Sequence, residues 1–408
     1  MSPPRLDTLR AVLRFREFEW DPALRRLARC ASVNDLRDTA RRRLPRGVFD
    51  YIEGAAEDER SAERNVAGFE QLGFRPRVLR EVGETDCTTT LLGRALPMPL
   101  VLSPTGFGRV AHSQGELAVA RAAARAGLPY ALSTLSTRSI EEVAAVSSGP
   151  RWFQVYAWRD RGMVGEMVER AAAAGYEALL LTVDTPVFGR RERDVRSGFT
   201  LPPQLGPETL LDGILHPGWT WDFLRSEPIV FSNVVGREVG DGSTPVTLAD
   251  YINTQFDPNL GWGDVEWLRG IWDGPLVLKG IQSVADARLA ADAGVQAIAL
   301  SNHGGRQLDH APSPVDLVAP VCDAVGDRLE VLCDGGVRRG GDILKALALG
   351  ARACMIGRPY LYALAVAGEA GVDWVLEHFR AALRRDLALL GCSRLSDLSP
   401  DFVERRPG

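Results

Sequence analysis

Residues 292–301 read DAGVQAIALS, and the punctuation of that phrase sets the fold. An alanine-rich helical pattern closes on Gly294, and an apolar run of strand length begins at Ala297. Glycine suits the left-handed position just past a helix C-terminus, and so short a helix-to-strand loop is the kind α/β units use. The phrase recurs as RAGLPYALST at 125–134, AAGYEALLLT at 173–182 and ALGARACMIG at 348–357, with Gly127, Gly175 and Gly350 in the same place.

Working outward gives eight apolar runs, at 99–103, 130–134, 152–156, 179–184, 276–280, 298–302, 330–334 and 354–357. Amphipathic helical patterns such as SVADARLAADAG at 283–294 separate most of them. Near-continuous apolar strands alternating with helices predict a parallel sheet covered on both faces. Eight of them predict an α/β protein of the (β/α)8 TIM-barrel class, with a doubly wound sheet as the competing arrangement. A helical preface over 1–95, a barrel over 96–395 and a tail over 396–408 are expected. The interval after the fourth strand is far longer than a normal connection, and an insertion acting as lid or attachment surface is expected at 200–262.

The bulk numbers fit a soluble globular chain: 408 residues, 45% hydrophobic and 25% charged. A net charge of −5, with basic residues scattered apart from RRRLPR at 41–46, gives no electrostatic footprint for nucleic acid. That basic run reads as a solvated helix end. The six cysteines, spread out with no CxxC, read as small residues in a reducing compartment. No run approaches the roughly 18 apolar residues of a membrane span, and the N-terminus lacks the apolar segment of a signal peptide. The expected location is cytoplasmic, with peripheral attachment to the inner membrane face left open.

In a barrel, every strand's C-terminal end opens onto the face where active sites lie. Thr105, Ser133, Gln154, Tyr156, Thr182, Asp184, Lys279, Ser301, His303, Asp334 and Arg358 all stand there. Any one of them alone reads as a satisfied cap or a structural histidine; together, on one side, they read as a site. CDGGVRRGGD at 333–342 and IGRP at 356–359 put glycines and two arginines after the seventh and eighth strands. Loops at those positions frequently bind phosphate through backbone N–H groups and a helix N-terminus.

SNHGGRQLD, DGGVRRGGDILKALALGA, IGRP, VLKG and TVDTPVFGRRERD resemble the FMN-dependent L-2-hydroxy acid dehydrogenases and oxidases. That family includes glycolate oxidase, flavocytochrome b2, and bacterial L-lactate and L-mandelate dehydrogenases. The likeness runs from LPRGVFDYIEGAAEDE at 44–59 to GCSRLSDLSP at 391–400, and LDGILHPGWTWDFLRSEP at 211–228 resembles the lactate and mandelate branch. It implies FMN as cofactor and a small-molecule 2-hydroxy acid as substrate. His303 is then the base, Asp184 its carboxylate partner, and Arg306 with Arg191 the clamp on the substrate carboxylate. Tyr51 and Tyr156 are implied to position the substrate, and Lys279 to stand beside the flavin's pyrimidine edge. Thr105, Ser133, Gln154, Thr182 and Ser301 are implied contacts of the isoalloxazine and ribityl. Asp334, Gly336, Arg338, Gly357 and Arg358 are implied contacts of the ribityl and phosphate. A homotetramer is also implied.

The sequence departs from the glycolate oxidase pattern at three places. Gly106 stands where many oxidases have alanine, read either as reduced bulk beside the flavin or as a glycine for a tight turn. Leu135 and Ile52 replace a tryptophan and a tyrosine, which predicts a roomier pocket for a mandelate-like acid rather than lactate. The electron acceptor, quinone or oxygen, stays open, so an oxidase or a decarboxylating monooxygenase competes with a dehydrogenase. An FMN barrel isomerase with non-redox chemistry is disfavoured because a diphosphate substrate needs no hydroxy-acid clamp. Trp219, Trp221, Phe223, Leu224, Ile229 and Phe231 in the insertion carry two readings, packing on the barrel mouth or a membrane-surface patch.

Overall fold

The computed structural model describes residues 19–198, 206–234 and 254–406. Eight parallel strands close into a barrel: β1 Leu100–Leu102, β2 Tyr130–Ser133, β3 Arg151–Tyr156, β4 Ala178–Thr182, β5 Leu276–Ile281, β6 Ala297–Leu300, β7 Glu330–Asp334 and β8 Ala353–Ile356. Each pairs with the next, and β8 returns to β1 through Cys354↔Leu100 and Ile356↔Leu102. That closure excludes the doubly wound sheet. All eight predicted runs are strands, and Gly127, Gly175, Gly294 and Gly350 all take positive φ after their helices. Several strands stop a residue or two before the predicted end; Asp184 and Asn302 lie beyond theirs.

Strand periodicity explains why polar residues collect at one mouth. Successive side chains on a strand point to opposite faces. Val101, Ala131, Trp152, Leu180, Val277, Ala299, Leu332 and Met355 pack together inside the barrel. Two residues further along the same strands come Ser103, Ser133, Gln154, Thr182, Lys279, Ser301, Asp334 and Gly357, which form the polar layer above that core. The alternate set, including Leu102, Leu132, Phe153, Leu181, Leu278 and Ile298, joins the larger core that includes residues of the outer helices. The (β/α)8 class predicted from punctuation alone is therefore the class observed.

The preface is less purely helical than expected. It contains α1 Val33–Arg43, α2 Arg46–Glu53 and α3 Arg60–Glu70, but also an antiparallel hairpin of Thr89–Leu91 with Arg94–Leu96. Leu91 and Leu96 of the hairpin pack with the barrel interior, so the hairpin plugs the mouth opposite the polar layer. The tail contains a strand: Val403–Arg405 pairs antiparallel with Leu72–Phe74, Leu72 facing Arg405. Burying those backbone groups in a ladder satisfies them, which is why neither end of that pair is loose.

Within the insertion, α4 Pro207–Leu215 and α5 Pro217–Arg225 are helical; residues 199–205 and 235–253 lie outside the described residues. Beyond β7, α6 Gly340–Ala348 begins just past the glycine-arginine loop, and α7 Arg358–Leu389 starts at Gly357. The basic run at 41–46 does end a helix, with Arg41 and Arg42 exposed and Arg43 half-buried. All six cysteines are free, and Cys87, Cys333, Cys354 and Cys392 are buried. No described helix is long and apolar enough to cross a membrane.

Candidate active site

A cavity opens above the polar layer and is lined by most of the predicted residues, Tyr51, Tyr156, Arg191, Lys279, His303 and Arg306 among them. His303 heads a short turn after β6 in which His303, Gly304 and Gly305 have φ of 58°, 66° and 78°. A histidine held in the left-handed region costs backbone strain that a site can justify. Gly305 is required by a close approach, since a Cβ there would sit 2.6 Å from the backbone nitrogen of Ala62. His303 Nδ1 lies 2.9 Å from Asp184 Oδ1, while Asp184 Oδ2 is buried without a hydrogen-bond partner among the described residues. Beside them β5 shifts register between Lys279 and Ile281, and Gly280 there leaves room for Asp184, since a Cβ would come within 2.7 Å of its carboxyl carbon.

Burial pulls the His303 imidazole below its ordinary value, against the raising effect of Asp184, and the Lys279 charge lowers it further. At neutral pH the ring is therefore the free base, with Nδ1–H given to Asp184 and Nε2 left as acceptor. A carboxylate in that position also stabilises the imidazolium once a proton arrives.

One wall carries the arginines. Arg306 Nη1 donates to the carbonyls of Tyr51 and Gly54, both at 2.8 Å, so the C-terminal end of α2 fixes the guanidinium. Its carbon stands 5.2 Å from the Tyr51 ring centroid, and that of Arg191 stands 6.0 Å from the same ring. Burial, and then the like charge of Arg191, bring Arg306 down to about 9. Tyr156 is buried with its ring edge-on to Phe256 at 5.0 Å, and burial, with the Asp184 charge behind it, pushes its phenol well above the usual range.

The floor is a row of hydrogen-bonding groups. Ser133 Oγ donates to Gln154 Oε1 at 3.0 Å, and Gln154 Nε2 donates to Thr182 Oγ1 at 3.0 Å. Next along, Lys279 Nζ lies 3.0 Å from both Ser301 Oγ and Asp334 Oδ2. Burial disfavours the lysine's charge, but Asp334 and then Asp184 outweigh it and leave its pKa raised. Thr105 Oγ1 meets the Tyr360 hydroxyl at 2.7 Å. At the far end Gly336, Arg338, Gly357 and Arg358 line the cavity. The Arg338 guanidinium donates to the Val337 carbonyl at 2.9 Å. That of Arg358 ties together the carbonyls of Ile52, Gly54 and Gly304 at 2.8–3.1 Å, bracing α2 against the histidine turn. Neutral amides and hydroxyls beside one buried ammonium, with glycines and an arginine at one end, fit a flavin ring and its phosphate tail.

Sequence reading missed several participants. Asn302 and Asn65 exchange two side-chain amide bonds of 2.7 Å, and Asn302 Oδ1 also accepts from the Gly305 N–H. Asn302 sits inside the quoted SNHGG phrase, but nothing in the sequence marks Asn65 of α3 as its partner. Gln307 Nε2 donates to the Asp184 and Val187 carbonyls, holding the loop that presents Asp184. Gly106 takes no positive φ, so a turn does not demand it; a Cβ there would lie 3.2 Å from the Leu135 carbonyl oxygen, a tight contact that Leu135 would have to yield to by a few tenths of an ångström.

The insertion divides between its two readings residue by residue. Trp219 packs on the core, its Nε1 donating to the Val110 carbonyl at 2.8 Å, and Phe231 is buried against Phe107 with centroids 4.5 Å apart. Ile229 is half-buried. Trp221, Phe223 and Leu224 are exposed instead, joined by Leu210, Leu211, Ile214 and Leu215 of α4, the last two 72% and 68% open.

A model of the family described as FMN-dependent dehydrogenase matches residues 40–405. An L-lactate oxidase of Nostoc sp. is 44% identical, covering 89% of this chain and 95% of its own. An L-lactate dehydrogenase of Caulobacter vibrioides is 42% identical over 92% of this chain and 98% of its own. Among solved structures, that of the monotopic membrane protein (S)-mandelate dehydrogenase has a TM-score of 0.89 at 41% identity, covering 93% of this chain and 100% of that one. A matched model over the whole barrel and more than half of the preface, on a floor shaped for a flavin, leaves one conclusion: the chain belongs to the FMN-dependent dehydrogenase family, and FMN is its cofactor.

Proposed function

We propose that the protein oxidises an L-2-hydroxy acid to the 2-oxo acid, with a mandelate-like acid preferred over lactate. One observation carries the reading: a neutral imidazole backed by a carboxylate faces the same cavity as two arginines, about Tyr51. Arg306 and Arg191 hold the substrate carboxylate, a task for which a planar guanidinium fork is better suited than lysine. Tyr156 keeps its proton at neutral pH and orients the substrate oxygen through it. His303 Nε2 takes up the proton released at the substrate, and Asp184 stabilises the resulting imidazolium. Gln154, Thr182, Lys279, Ser301 and Asp334 would hold FMN on the floor, and Gly336, Arg338 and the Gly357–Arg358 turn its phosphate; bound there, the cofactor would supply the acceptor for the two electrons. Holding the acid at both ends supplies orientation before any bond changes.

The substrate side of the cavity is walled by Ile52, Leu135 and Phe188, apolar groups that suit an aryl or branched side chain. Anaerobic bleaching of the flavin band by L-lactate, L-mandelate and 4-hydroxymandelate tests the reading. The expected order puts mandelate above lactate in kcat/KM; lactate above mandelate removes the preference, and no bleaching by any acid removes the reaction class.

The exposed apolar faces of α4 and α5 support peripheral contact with a membrane and a quinone as electron acceptor. Fully burying an isoleucine or leucine stabilises by about 1.5–3 kcal/mol. Replacing Ile214 and Leu215 together by serine is therefore expected to lower co-sedimentation with phosphatidylglycerol-phosphatidylcholine vesicles by about tenfold or more, with anaerobic bleaching unchanged. Equal sedimentation of both forms sinks the membrane contact.

A further inference from the structure

We propose that Asp194 is a positioning residue for the carboxylate clamp: its charge lies behind Arg191 and Arg306 and lets two cations stand side by side in one buried wall. The inference rests on the reading of those arginines as the clamp.

The geometry of the wall poses the problem that Asp194 solves. Arg191 and Arg306 flank the same tyrosine ring, and like charges so close in a low-dielectric site repel strongly. Arg306 gives its Nη1 to two carbonyls, which are dipoles and not a counter-charge. Asp194 lies one turn beyond Arg191 in the short helix Glu192–Arg196, with Oδ2 3.5 Å from Arg191 Nη1. Its other oxygen, Oδ1, is buried with no hydrogen-bond partner among the described residues. That atom lies against the backbone of Gly54, where a Cβ would come within 3.6 Å of it. Gly54 is the residue whose carbonyl holds Arg306. A carboxylate kept dry and half-satisfied is costly to bury, and an anchor for the short helix could have been a neutral side chain.

The charges around this wall run in both directions. Arg306 faces Arg191 and Arg358, which lower it, and Tyr51 and Asp194, which support it. Asp194 is raised first by burial; Arg306 and Arg191 lower it, and Asp50 of α2 and Glu59 raise it. Asp50 and Glu59 are themselves engaged by Arg193, so Asp194 is the carboxylate left to the clamp. Substrate brings a second negative charge to the cavity side of the same pair. Asp194 thus presets the clamp, and it acts on the carboxylate end of the substrate without touching it.

The test compares wild type, Asp194→Asn and Asp194→Glu in anaerobic flavin bleaching by L-mandelate and by its methyl ester, across the alkaline range. The affinity of the non-reacting acid oxalate is followed by the flavin spectrum in parallel. Asp194→Asn is expected to raise KM for mandelate and Kd for oxalate about tenfold, with kcat within about twofold. Without the carboxylate, Arg306 loses its proton more easily, so the alkaline limb of kcat/KM is expected at lower pH than in wild type. The ester, which carries no carboxylate, is expected to show neither effect, and Asp194→Glu to keep the wild-type limb. An unmoved limb in Asp194→Asn, or equal losses on acid and ester, overturns the proposal. Wild type alone gives a second reading should Asp194→Asn fail to fold: the same alkaline limb for acid and ester also overturns it. If wild type bleaches with no hydroxy acid, the clamp reading itself falls and the proposal with it; if wild type bleaches and the variant behaves identically, only Asp194 falls.

Discussion

Replacing His303 by glutamine is expected to leave FMN bound while slowing flavin bleaching by L-mandelate about 10⁴-fold, the upper end of what a positioned general base contributes. The two halves of that result come from different parts of the site. The floor is held by Ser133, Gln154, Thr182, Lys279, Ser301 and Asp334 through bonds that do not involve the imidazole. Among the described residues, the hydrogen bond of the imidazole runs sideways, to Asp184. Glutamine has comparable reach but no basic nitrogen, so proton acceptance is lost and packing is kept. The backbone at 303 is left-handed, a region in which Asn and His are enriched, so His303→Asn is the companion variant that separates strain from chemistry. Both are expected to retain the yellow flavin spectrum. The pH dependence follows in sign: His303 is depressed below 6.5 by burial and works only when neutral. Wild-type kcat/KM therefore holds through neutral pH and falls as pH drops through that depressed value, and the limb is absent from either variant's residual rate. Turnover of His303→Gln within about tenfold of wild type would remove the base assignment, because a base contributes more than that.

What could be read from the sequence depended on how local the signal was. The barrel was legible because each helix-to-strand loop carries its own punctuation: a glycine at left-handed φ and an apolar run a few residues later, four times in nearly the same words. The polar mouth was legible for the same reason, since period two carries Val277 to Lys279 and Leu332 to Asp334 without outside information. The plug at the other mouth was not, because TTL and RAL at 89–96 become strands only through pairing with one another and packing of Leu91 and Leu96 on the barrel interior. Asn65 and Asn302 are 237 residues apart, and no local pattern announces a contact made by closing the chain. Arg358 shows the opposite limit. Its position after β8 marks it for an anion, yet three of its five N–H groups go to carbonyls, a share set by where α2 ends. In the insertion, six apolar residues looked alike in sequence and were sorted by tertiary packing: Trp219 and Phe231 meet Val110 and Phe107 of the barrel mouth, while Trp221 and Leu224 of α5 are left exposed.

The second large effect is expected at Lys279, where charge balance and catalysis can be separated. Lys279→Met removes the only ammonium from a buried cluster in which Asp334 otherwise receives two hydroxyl donors, Ser103 on Oδ1 at 3.0 Å and Ser301 on Oδ2 at 2.8 Å. Taking one partner from a buried ion pair leaves an uncompensated charge and costs about 3–5 kcal/mol. The single variant is therefore expected to melt several degrees lower and to lose FMN on dilution. Adding Asp334→Asn removes the stranded charge while keeping an oxygen for the serines, and most of the Tm and the bound flavin are expected to return. The rate is not expected to return with them. A fixed cation aimed at developing negative charge is worth about 10²–10³ in rate, and methionine beside asparagine supplies none, so bleaching by L-mandelate stays slower by about that factor. Asp334→Asn alone leaves the ammonium with Asp184 as its remaining carboxylate, and is expected to bleach faster than the double variant at equal flavin content. Recovery of both stability and rate in the double variant would make Lys279 a counter-ion for Asp334 and nothing more. Recovery of stability without rate assigns the lysine its charge-stabilising part in the reaction, and explains why a barrel that could have packed a methionine here spends a buried ion pair on the floor of its cavity.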